Sequence, residues 1–378
     1  MAESGVSIPR TIWFLWFQGL ENAPYVVRKC HESWVTRNPA WRVVSLDEAS
    51  LPEFASVDYS SGNIGRLSRQ HRADLLRLDL LAHHGGVWVD ATCFCVQPLD
   101  DWLEPNTGSG FFAFHQPGPD RIMSNWFLAA EPGGLLVSRL FELMLAYWGD
   151  HSFRSDGHGF VAKALTRLLR GTARTRGWWF TPVIRDWLAV SPYFAFAYGF
   201  EKLVREDPEF ARAWQQTPKL SADGPHRLLC EVGLRSPASL ALRSEIDRGE
   251  VPVYKTTWRT GEQGVPSGSI LEYLLDTVRT SPGSHSNPGH HSRPRRRCRG
   301  WPGAAGEAGA VGARRRGQLP GATGASSARG RATRPSAHRA GGSAPQARSA
   351  PSAASAYGGA RCAARRADSR GSAGRGTQ

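Results

Sequence analysis

The chain has 378 residues and a formal net charge of +14 at pH 7, a length that fits one large domain or two ordinary ones. The charge is uneven, because residues 281–378 contain 18 Arg, no Lys and two acidic residues, so that this segment carries +16 and residues 1–280 carry −2. A basic nucleic-acid-binding surface is therefore not expected on the folded part. The longest apolar run near the start, residues 12–17, is too short for a membrane span, and no basic region precedes it as in a secretory signal.

The cysteine pattern argues against a disulfide or zinc framework. The six cysteines are Cys30, Cys93, Cys95, Cys230, Cys298 and Cys362. None of them forms a C-x-x-C pair or a spacing typical of zinc sites. Cys93 and Cys95 would point to the same side of one strand, which is a poor geometry for a bridge. We predict reduced, mostly buried thiols in a cytoplasmic protein.

The first predicted elements form a β-α-β unit. Residues 8–17 are predicted as a strand, 24–38 as a helix and 41–46 as a second strand, with Asp47 as the N-cap of a short helix. This order favours parallel strands. The loop after the first strand contains Gly19, but it is not the G-x-G-x-x-G phosphate loop, so a dinucleotide is not indicated.

The rest of the chain is organised around residues 68–101, SRQHRADLLRLDLLAHHGGVWVDATCFCVQPLDD. The leucines make the predicted helix apolar almost all round, so it should be buried. Asp74 and Arg77 share one face of this helix because they are three residues apart. Gly85 and Gly86 end the helix. The short buried strand 87–89 follows.

Asp90 stands where this strand ends, and ligands of open α/β sheets bind beyond the carboxyl ends of strands. Simpler interpretations exist for each part: Asp74 and Arg77 could be only a helical ion pair, and Asp90 could cap a turn. However, a buried helix is a costly place for charge unless the charge is paired or used. The combination therefore favours a ligand site.

Two stretches of the sequence resemble a known family. RADLLRLDLLAHHGGVWVDATCFCVQPLDDW and IPRTIWFLWFQGLENAPYVVRKCHESWVTRNPAWRVVSLDE are similar to the capsular polysaccharide synthesis proteins, glycosyltransferases with a DXD sugar-binding region. Relatives of that family include α-1,6-mannosyltransferases and the catalytic domains of clostridial glucosylating toxins. The resemblance runs in patches over residues 8–275. It implies a GT-A-like, Rossmann-like α/β fold with a mostly parallel sheet flanked by helices, and a catalytic domain at 1–280.

The resemblance also implies roles for individual residues. Trp16, or else Trp13, would stack on the nucleotide base, although both could be core aromatics. Asp74 and Arg77 would hold hydroxyls of the donor sugar, and Asp90 would hold the ribose and a metal. The remaining candidates for substrate contact are Asn125 near the sugar, His158 near the acceptor, and Lys255, Thr257 and Trp258 near the diphosphate. Lys255 could instead be a solvated residue of an edge strand.

A divalent cation, Mn²⁺ or Mg²⁺, is the cofactor that the resemblance implies. It would bridge phosphate oxygens and stabilise the leaving diphosphate. The second acidic position of the motif is Thr92 here, and a neutral hydroxyl is a weak ligand. Either Asp90 works with one remote ligand, or Asp90 and Thr92 hold the metal weakly and Lys255 carries more of the charge.

The predicted function is transfer of a hexose from a nucleoside diphosphate sugar, UDP-sugar first, to a hydroxyl of a saccharide or glycolipid-type acceptor. The resemblance implies retention of anomeric configuration and a role in bacterial capsular or cell-surface polysaccharide synthesis, with peripheral membrane association as an option. One alternative is an inactive nucleotide-sugar-binding protein. Another alternative is a nucleic-acid binder acting through the basic tail. This alternative is weaker, because the tail lacks the interleaved aromatic residues typical of nucleic-acid-binding segments.

The second half of the predicted domain is less informative. Strands are predicted at 111–115 and 125–129 and helices at 135–148 and 271–278. Asp150, His151, Asp156 and His158 lie too irregularly to favour a metal cluster, so a role at the acceptor site is preferred. The aromatic segment 178–199 fits either a carbohydrate-facing surface or a core.

Residues 281–378 are predicted to be a disordered tail. They consist mainly of Gly, Ala, Ser, Pro and Arg, with one Leu, one Val and no Ile, Phe or Met. Such a segment cannot bury enough apolar area to offset its chain entropy. Its monotony also suggests GC-rich DNA translated out of frame, a hypothesis that an intact reading frame at the locus would contradict.

Overall fold

A computed structural model describes residues 7–156, 159–261 and 264–278 of the chain. The strands in these ranges are β1 (Thr11–Leu15), β2 (Arg42–Leu46), β3 (Gly86–Val89), β4 (Cys93–Cys95), β5 (Phe111–Gly118), β6 (Arg121–Ala130), β7 (Ser155–Asp156), β8 (Val190–Ser191) and β9 (Val253–Lys255). Five of them form the central sheet, in the order β2-β1-β3-β6-β5. Strand β1 is parallel to β2 and β3, whereas β6 is antiparallel to β3 and β5. Four of the five strands therefore point the same way, which agrees with the mostly parallel sheet predicted from the sequence.

Helices flank this sheet. In chain order the α-helices of the described ranges are α1 (Tyr25–Arg37), α2 (Leu51–Phe54), α3 (Gly62–Gly65), α4 (Arg69–His84), α5 (Leu135–Gly149), α6 (Phe160–Leu169), α7 (Ala173–Arg176), α8 (Ala195–Glu206), α9 (Pro208–Gln216), α10 (Asp223–Arg227), α11 (Leu240–Asp247) and α12 (Ile270–Asp276). No helix in these ranges combines the length and the apolar character needed to cross a bilayer. The predicted tail and its disorder lie outside the described residues.

The two faces of the sheet bury two different apolar cores, since side chains alternate across a strand. In β1, Ile12 and Phe14 join the core on the side of α1 and α12. Trp13 and Leu15 join the core on the side of α4, α5 and α8. A strand buried on both faces explains the nearly continuous apolar run at residues 12–17.

The predicted β-α-β unit is confirmed as β1-α1-β2, with Pro24 as the residue before α1. The assignment of Asp47 as a helix N-cap is wrong. Asp47 accepts a hydrogen bond from the backbone N–H of Ser50, and Ser50 is the residue that precedes α2. Asp47 stabilises the turn between β2 and α2, because a short acidic side chain can bond its own backbone a few residues on.

The junction from α4 to β3 follows the prediction closely. Ser68 caps α4 by accepting from the backbone N–H of His71. Gly85 and Gly86 then adopt φ values of 64° and 98°, in the region that favours glycine. A Cβ on Gly86 would lie 2.5 Å from the carbonyl oxygen of Thr11. Glycine therefore both ends the helix and lets β3 approach β1.

The predicted strands at 111–115 and 125–129 are the halves of a longer hairpin. Strands β5 and β6 pair antiparallel up to Gly118 and Arg121, with irregular register between Ala113 and Gly118. The polar residues near the turn hid this extension from the sequence pattern. The hairpin brings Trp126 and Phe127, in the middle of β6, to the carboxyl end of β3.

Candidate functional site

Three of the predicted site residues lie at one edge of the central sheet. Trp16 follows β1, and Asp90 follows β3. Asn125 lies two residues before Phe127, which is the register partner of Val89. These three residues therefore share the edge at which parallel strands present their carboxyl ends, where ligands of open α/β sheets bind.

Asp74, Arg77 and Asn125 form a buried polar network beside this edge. Arg77 Nη1 lies 2.8 Å from Asp74 Oδ1 and donates to the backbone oxygen of Asn125 over 2.6 Å. Asn125 Nδ2 donates to the same Asp74 oxygen over 2.9 Å. The side chains of Arg77 and Asp74 are only 5% and 11% exposed. The predicted ion pair of α4 is therefore present, and Asn125 of β6 forms hydrogen bonds with both of its members.

Asp90 accepts from two cationic side chains and one indole. Arg77 Nη2 lies 3.3 Å from Asp90 Oδ1, and Lys255 Nζ lies 3.1 Å from Asp90 Oδ2. Trp88 Nε1 also donates to Asp90 Oδ1, over 3.1 Å. The Asp90 side chain remains 27% exposed, more than those of Arg77 or Lys255, so it is the most accessible of these three charged side chains.

The pairing of β4 with β9 places Lys255 in the site. In this antiparallel pair Cys93 is opposite Lys255. The turn from Asp90 to Cys93 is closed by a hydrogen bond from the Cys93 N–H to the Asp90 oxygen. Lys255 Nζ donates to Thr92 Oγ1 over 2.6 Å, so the ammonium lies between the two side chains of the D-x-T segment.

The opposite charges of Asp90 and Lys255 stabilise each other. Burial alone would raise the pKa of Asp90, but the nearby positive charges of Lys255 and Arg77 hold it below its usual value. For Lys255, burial alone would lower the pKa. The neighbouring Asp90 carboxylate outweighs this effect, so the pKa of Lys255 is raised above its usual value. The pKa of Asp74 is raised by burial, despite the opposing effect of Arg77. Asp90 and Lys255 are therefore both charged at neutral pH.

The residues present do not fit a divalent cation. Mg²⁺ is usually held by one or two carboxylates together with water and substrate phosphates, and the D-x-T segment supplies one carboxylate, Asp90. Both side chains of the segment already contact the Lys255 ammonium. No group of three or more His, Cys, Asp or Glu residues that could hold a metal occurs in the described ranges.

The two tryptophans predicted to stack on a base differ in position. Trp13 is 3% exposed and donates from Nε1 to the oxygen of Gly85, so it belongs to the core rather than to the site. Trp16 lies at the sheet edge with its ring centroid 6.4 Å from that of Trp258, in an edge-on arrangement. Its Nε1 is buried and has no hydrogen-bond partner among the described residues. Of the two, Trp16 is the one brought to the site.

The other predicted substrate residues are less well placed. Thr257 is partly buried, and it is the neighbouring Thr256 that contacts the D-x-T turn, by donating from Oγ1 to the Thr92 oxygen over 2.9 Å. His158 lies outside the described residues. His151 pairs with Asp186 at 3.1 Å.

Sequence reasoning missed three residues of the network: Trp88, Thr256 and Phe196. The Arg77 guanidinium lies over the rings of Trp88 and Phe196, at 5.1 and 5.7 Å. Trp88 directly precedes the VD step and could have been noted from its position. Phe196 comes from α8, more than a hundred residues away, and no local pattern indicated it.

A cavity of about 260 Å³ lies at the N-terminal end of α4. Asn63, Arg66, Leu67, Ser68, His151, Ser152, Phe153 and Arg154 line it. Helix α4 ends immediately before β3 begins and packs beside it, so its N-terminal end lies towards the same edge of the sheet as Asp90. His151 and Arg154 belong to the segment for which the sequence predicted an acceptor role.

The fold and the site define an α/β protein with a cluster of charged side chains at the carboxyl edge of its sheet. Residues 2–164 match the family model described as capsular polysaccharide synthesis protein. This segment, 163 of the 378 residues, is therefore similar to the capsular polysaccharide synthesis protein family.

The curated relatives are glycosyltransferases by name. The O-glycosyltransferase braB of Annulohypoxylon truncatum is 29% identical over 163 residues, which cover 38% of this chain and 38% of the relative. The glycosyltransferase afumC of Aspergillus fumigatus is 32% identical over 158 residues, covering 37% of this chain and 40% of the relative. The chain thus spans about 40% of the length of these relatives. Both are fungal, so the bacterial origin expected from the sequence stays a prediction.

Among solved structures the chain is similar to the PaToxG glycosyltransferase. The identity is 12%, the match covers 73% of this chain and 88% of that chain, and the TM-score is 0.32.

Proposed function

We propose that the protein is a glycosyltransferase that moves a hexose from a nucleoside diphosphate sugar, UDP-sugar in the first instance, to a hydroxyl of a saccharide or glycolipid-type acceptor. The observation that carries the proposal is the cluster of Arg77, Asp90 and Lys255 at the carboxyl edge of the sheet. The names of the relatives support the same reaction class. A cytoplasmic location and a role in cell-surface polysaccharide belong to this proposal as expectations from the sequence.

The donor sugar would be held by the network of Asp74, Arg77 and Asn125. A carboxylate accepts hydrogen bonds and a guanidinium donates them, so together they match vicinal hydroxyl groups. Because these side chains already fix one another within 3 Å, the site would need little rearrangement on binding. The indole of Trp16, whose N–H lacks a partner in the described part of the chain, would contact the base.

The leaving diphosphate requires positive charge, because transfer of the sugar builds negative charge on the β-phosphate. Lys255 is the cation at the D-x-T segment, and Arg77 lies on the other side of Asp90. We infer that these two side chains stabilise the diphosphate. If the cation expected from the resemblance bound, Asp90 and Thr92 would hold it and it would supply further positive charge, and titration with UDP in the presence of a chelator tests whether it is needed.

The cavity at the start of α4 is the proposed acceptor side. It is lined by Arg66, His151 and Arg154 together with Phe153, a mixture that suits a hydroxyl-bearing acceptor with an apolar face. Retention of configuration stays a prediction, which the NMR coupling of the newly formed anomeric proton would test.

The reaction is tested by incubating the full chain with a panel of UDP- and GDP-hexoses and measuring release of the nucleoside diphosphate, with and without simple saccharide acceptors. We expect release from at least one donor, and its loss in Asp90→Asn. The matched control is Asp101→Asn, which changes an acidic residue of a surface turn. Release that is equal in both variants would contradict the proposal.

A second candidate function is sugar-nucleotide binding without catalysis, which Thr92 favours because a motif carboxylate is missing. Binding of a donor with no release of diphosphate for any acceptor would support it.

A further inference from the structure

Residues 160–188 carry a concentration of exposed apolar side chains. Eleven large apolar residues are exposed in the described ranges, and seven of them fall in this segment. They are Phe160, Val161, Leu168, Trp178, Val183, Trp187 and Leu188, called the 160–188 patch below. Phe160 is 88% exposed and Trp187 is 79% exposed. Scattered apolar residues are normal on a surface, but a concentration of this kind marks an interaction site.

Helix α6 shows how the patch is built. At about 100° per residue, Phe160, Val161 and Leu168 fall within one arc of the helix. Ala162 and Leu169 lie opposite this arc and are buried. The exposed apolar arc is therefore additional to the face that packs onto the protein. The patch is not an accident of an unfolded segment, because Leu169, Trp179 and Ile184 form a small core beneath it.

The charged residues around the patch are mostly basic. Residues 159–190 contain six basic residues and one acid, Asp186, although residues 1–280 as a whole carry −2. Arg176 pairs with Glu201, and Arg185 pairs with Asp186. The other four basic residues, Lys163, Arg167, Arg170 and Arg174, are exposed, and the described part of the chain gives them no ion pair.

We propose that the 160–188 patch docks the protein on an anionic lipid surface. Exposed Trp, Phe and Leu side chains beside Lys and Arg are the composition of interfacial segments, in which aromatic rings enter the headgroup region and basic side chains contact lipid phosphates. A protein partner would not account for four unpaired basic side chains bordering the apolar arc unless its own surface were acidic. The proposal is independent of the transferase activity.

The test is co-sedimentation of the full chain with vesicles of pure phosphatidylcholine and with vesicles of phosphatidylcholine mixed with phosphatidylglycerol. We expect binding to the mixed vesicles and a loss of at least about tenfold in binding for Trp187→Ser and for Phe160→Ser combined with Leu168→Ser. Lys163→Glu combined with Arg167→Glu should also weaken binding, and added salt should reduce it.

The matched control is Leu240→Ser, which removes an apolar side chain that is 85% exposed but lies outside the patch. It should bind as the parent chain does. All variants retain residues 281–378, so binding through that basic segment would be unaffected by the patch substitutions. Equal binding of the patch variants and the parent, equal binding to both kinds of vesicle, or conversion of a dimer to a monomer by the patch substitutions would each overturn the proposal.

Discussion

Lys255 is the residue on which the proposed chemistry of the site depends. Its ammonium lies between Asp90 and Thr92, where the resemblance led us to expect a metal. Its side chain is 16% exposed, so water screens its charge less than on an open surface. A cation in this position can contact a diphosphate without a metal ion.

Replacing Lys255 should therefore weaken diphosphate binding selectively. We expect Lys255→Met to bind UDP about 10- to 100-fold more weakly, which is roughly the effect of losing one charged hydrogen-bonding partner. Binding of uridine, which has no phosphate, should change little. The measurement is isothermal titration, with Lys202→Met as the control because Lys202 pairs with Glu206 on α8, outside the network. Equal losses for UDP and uridine would instead indicate a general structural role.

Thr92 explains why the D-x-T segment does not fit a metal. Restoring a carboxylate in Thr92→Asp should create two neighbouring acidic side chains and measurable affinity for Mn²⁺. Electron paramagnetic resonance of free Mn²⁺ would measure the binding, and Thr92→Asn is the neutral control. If the parent chain binds Mn²⁺ as tightly as Thr92→Asp, the assignment of Lys255 as the replacing cation is wrong.

The charged form of Asp74 is expected to lower the folding stability of the chain while it contributes to the proposed donor binding. Its pKa is raised by burial, so the charged form is less stable in the folded chain than in the unfolded one, and this cost is present at neutral pH. Asp74→Asn should keep the melting temperature at pH 7 near or above that of the parent, yet weaken donor binding. Thermal melts at pH 7 and pH 4 test this, because the difference should shrink as the pH falls and Asp74 takes up a proton.

The opposite sign applies to Asp90 and Lys255. The lowered pKa of Asp90 gives stability that is present above its unfolded value and is lost as the pH falls through the folded value. The raised pKa of Lys255 gives stability that is present below its unfolded value and is lost as the pH rises through the folded value. Over the neutral range both charges persist, so this pair should not make donor binding depend on pH.

At the scale of the elements, the junction of α4 and β3 sets the position of Asp90. Gly86 has φ 98°, and an added Cβ would meet the Thr11 oxygen in the neighbouring strand. We expect Gly86→Ala to destabilise the fold by about 3 kcal/mol or more, combining backbone strain with a clash. Gly133→Ala is the matched control, because Gly133 has φ 70° but nothing within 4 Å of its added Cβ, so only about 1–2 kcal/mol of strain is expected. Urea denaturation measures both, and equal losses would contradict the role of the close approach.

The elements near one another in sequence could be predicted, and those that meet across the sheet could not. Apolar periodicity and two glycines were enough for α4, β3 and the pair Asp74–Arg77. The position of Lys255 depends on β4 pairing with β9, more than 150 residues along the chain, and no spacing in the sequence encodes that register. The sequence pattern also indicated Thr257 rather than Thr256, because the contact of Thr256 with Thr92 depends on the same pairing.

The two-faced burial of β1 gives a second example. An apolar run indicates that a strand is buried but not which residue faces which helix layer. The apolar run therefore left Trp13 as a second candidate after Trp16, whereas the pleat assigns Trp13 to the core. The predicted reduced thiols were simpler to assign, since the four cysteines of the described ranges are free. Burial raises the pKa of Cys30 and of Cys95 to about 12.

At the scale of the whole molecule, the basic charge and the proposed site are separate in sequence. Ending the chain after Thr280 should change the net charge from +14 to −2. We expect the shortened chain to bind UDP as tightly as the full chain and to lose retention on a heparin column. A large loss of UDP affinity, with the fold retained by circular dichroism, would show that residues 281–378 contribute to the site.

The most direct measurement for the proposed function is isothermal titration of the full chain with UDP, in the presence of a chelator and again with added Mn²⁺. The proposal predicts binding in both conditions with similar affinity, and its loss in the double variant Asp90→Asn with Lys255→Met. Binding that requires Mn²⁺ would contradict the role given to Lys255. Absence of binding to UDP and GDP in both conditions would contradict the proposed donor site itself.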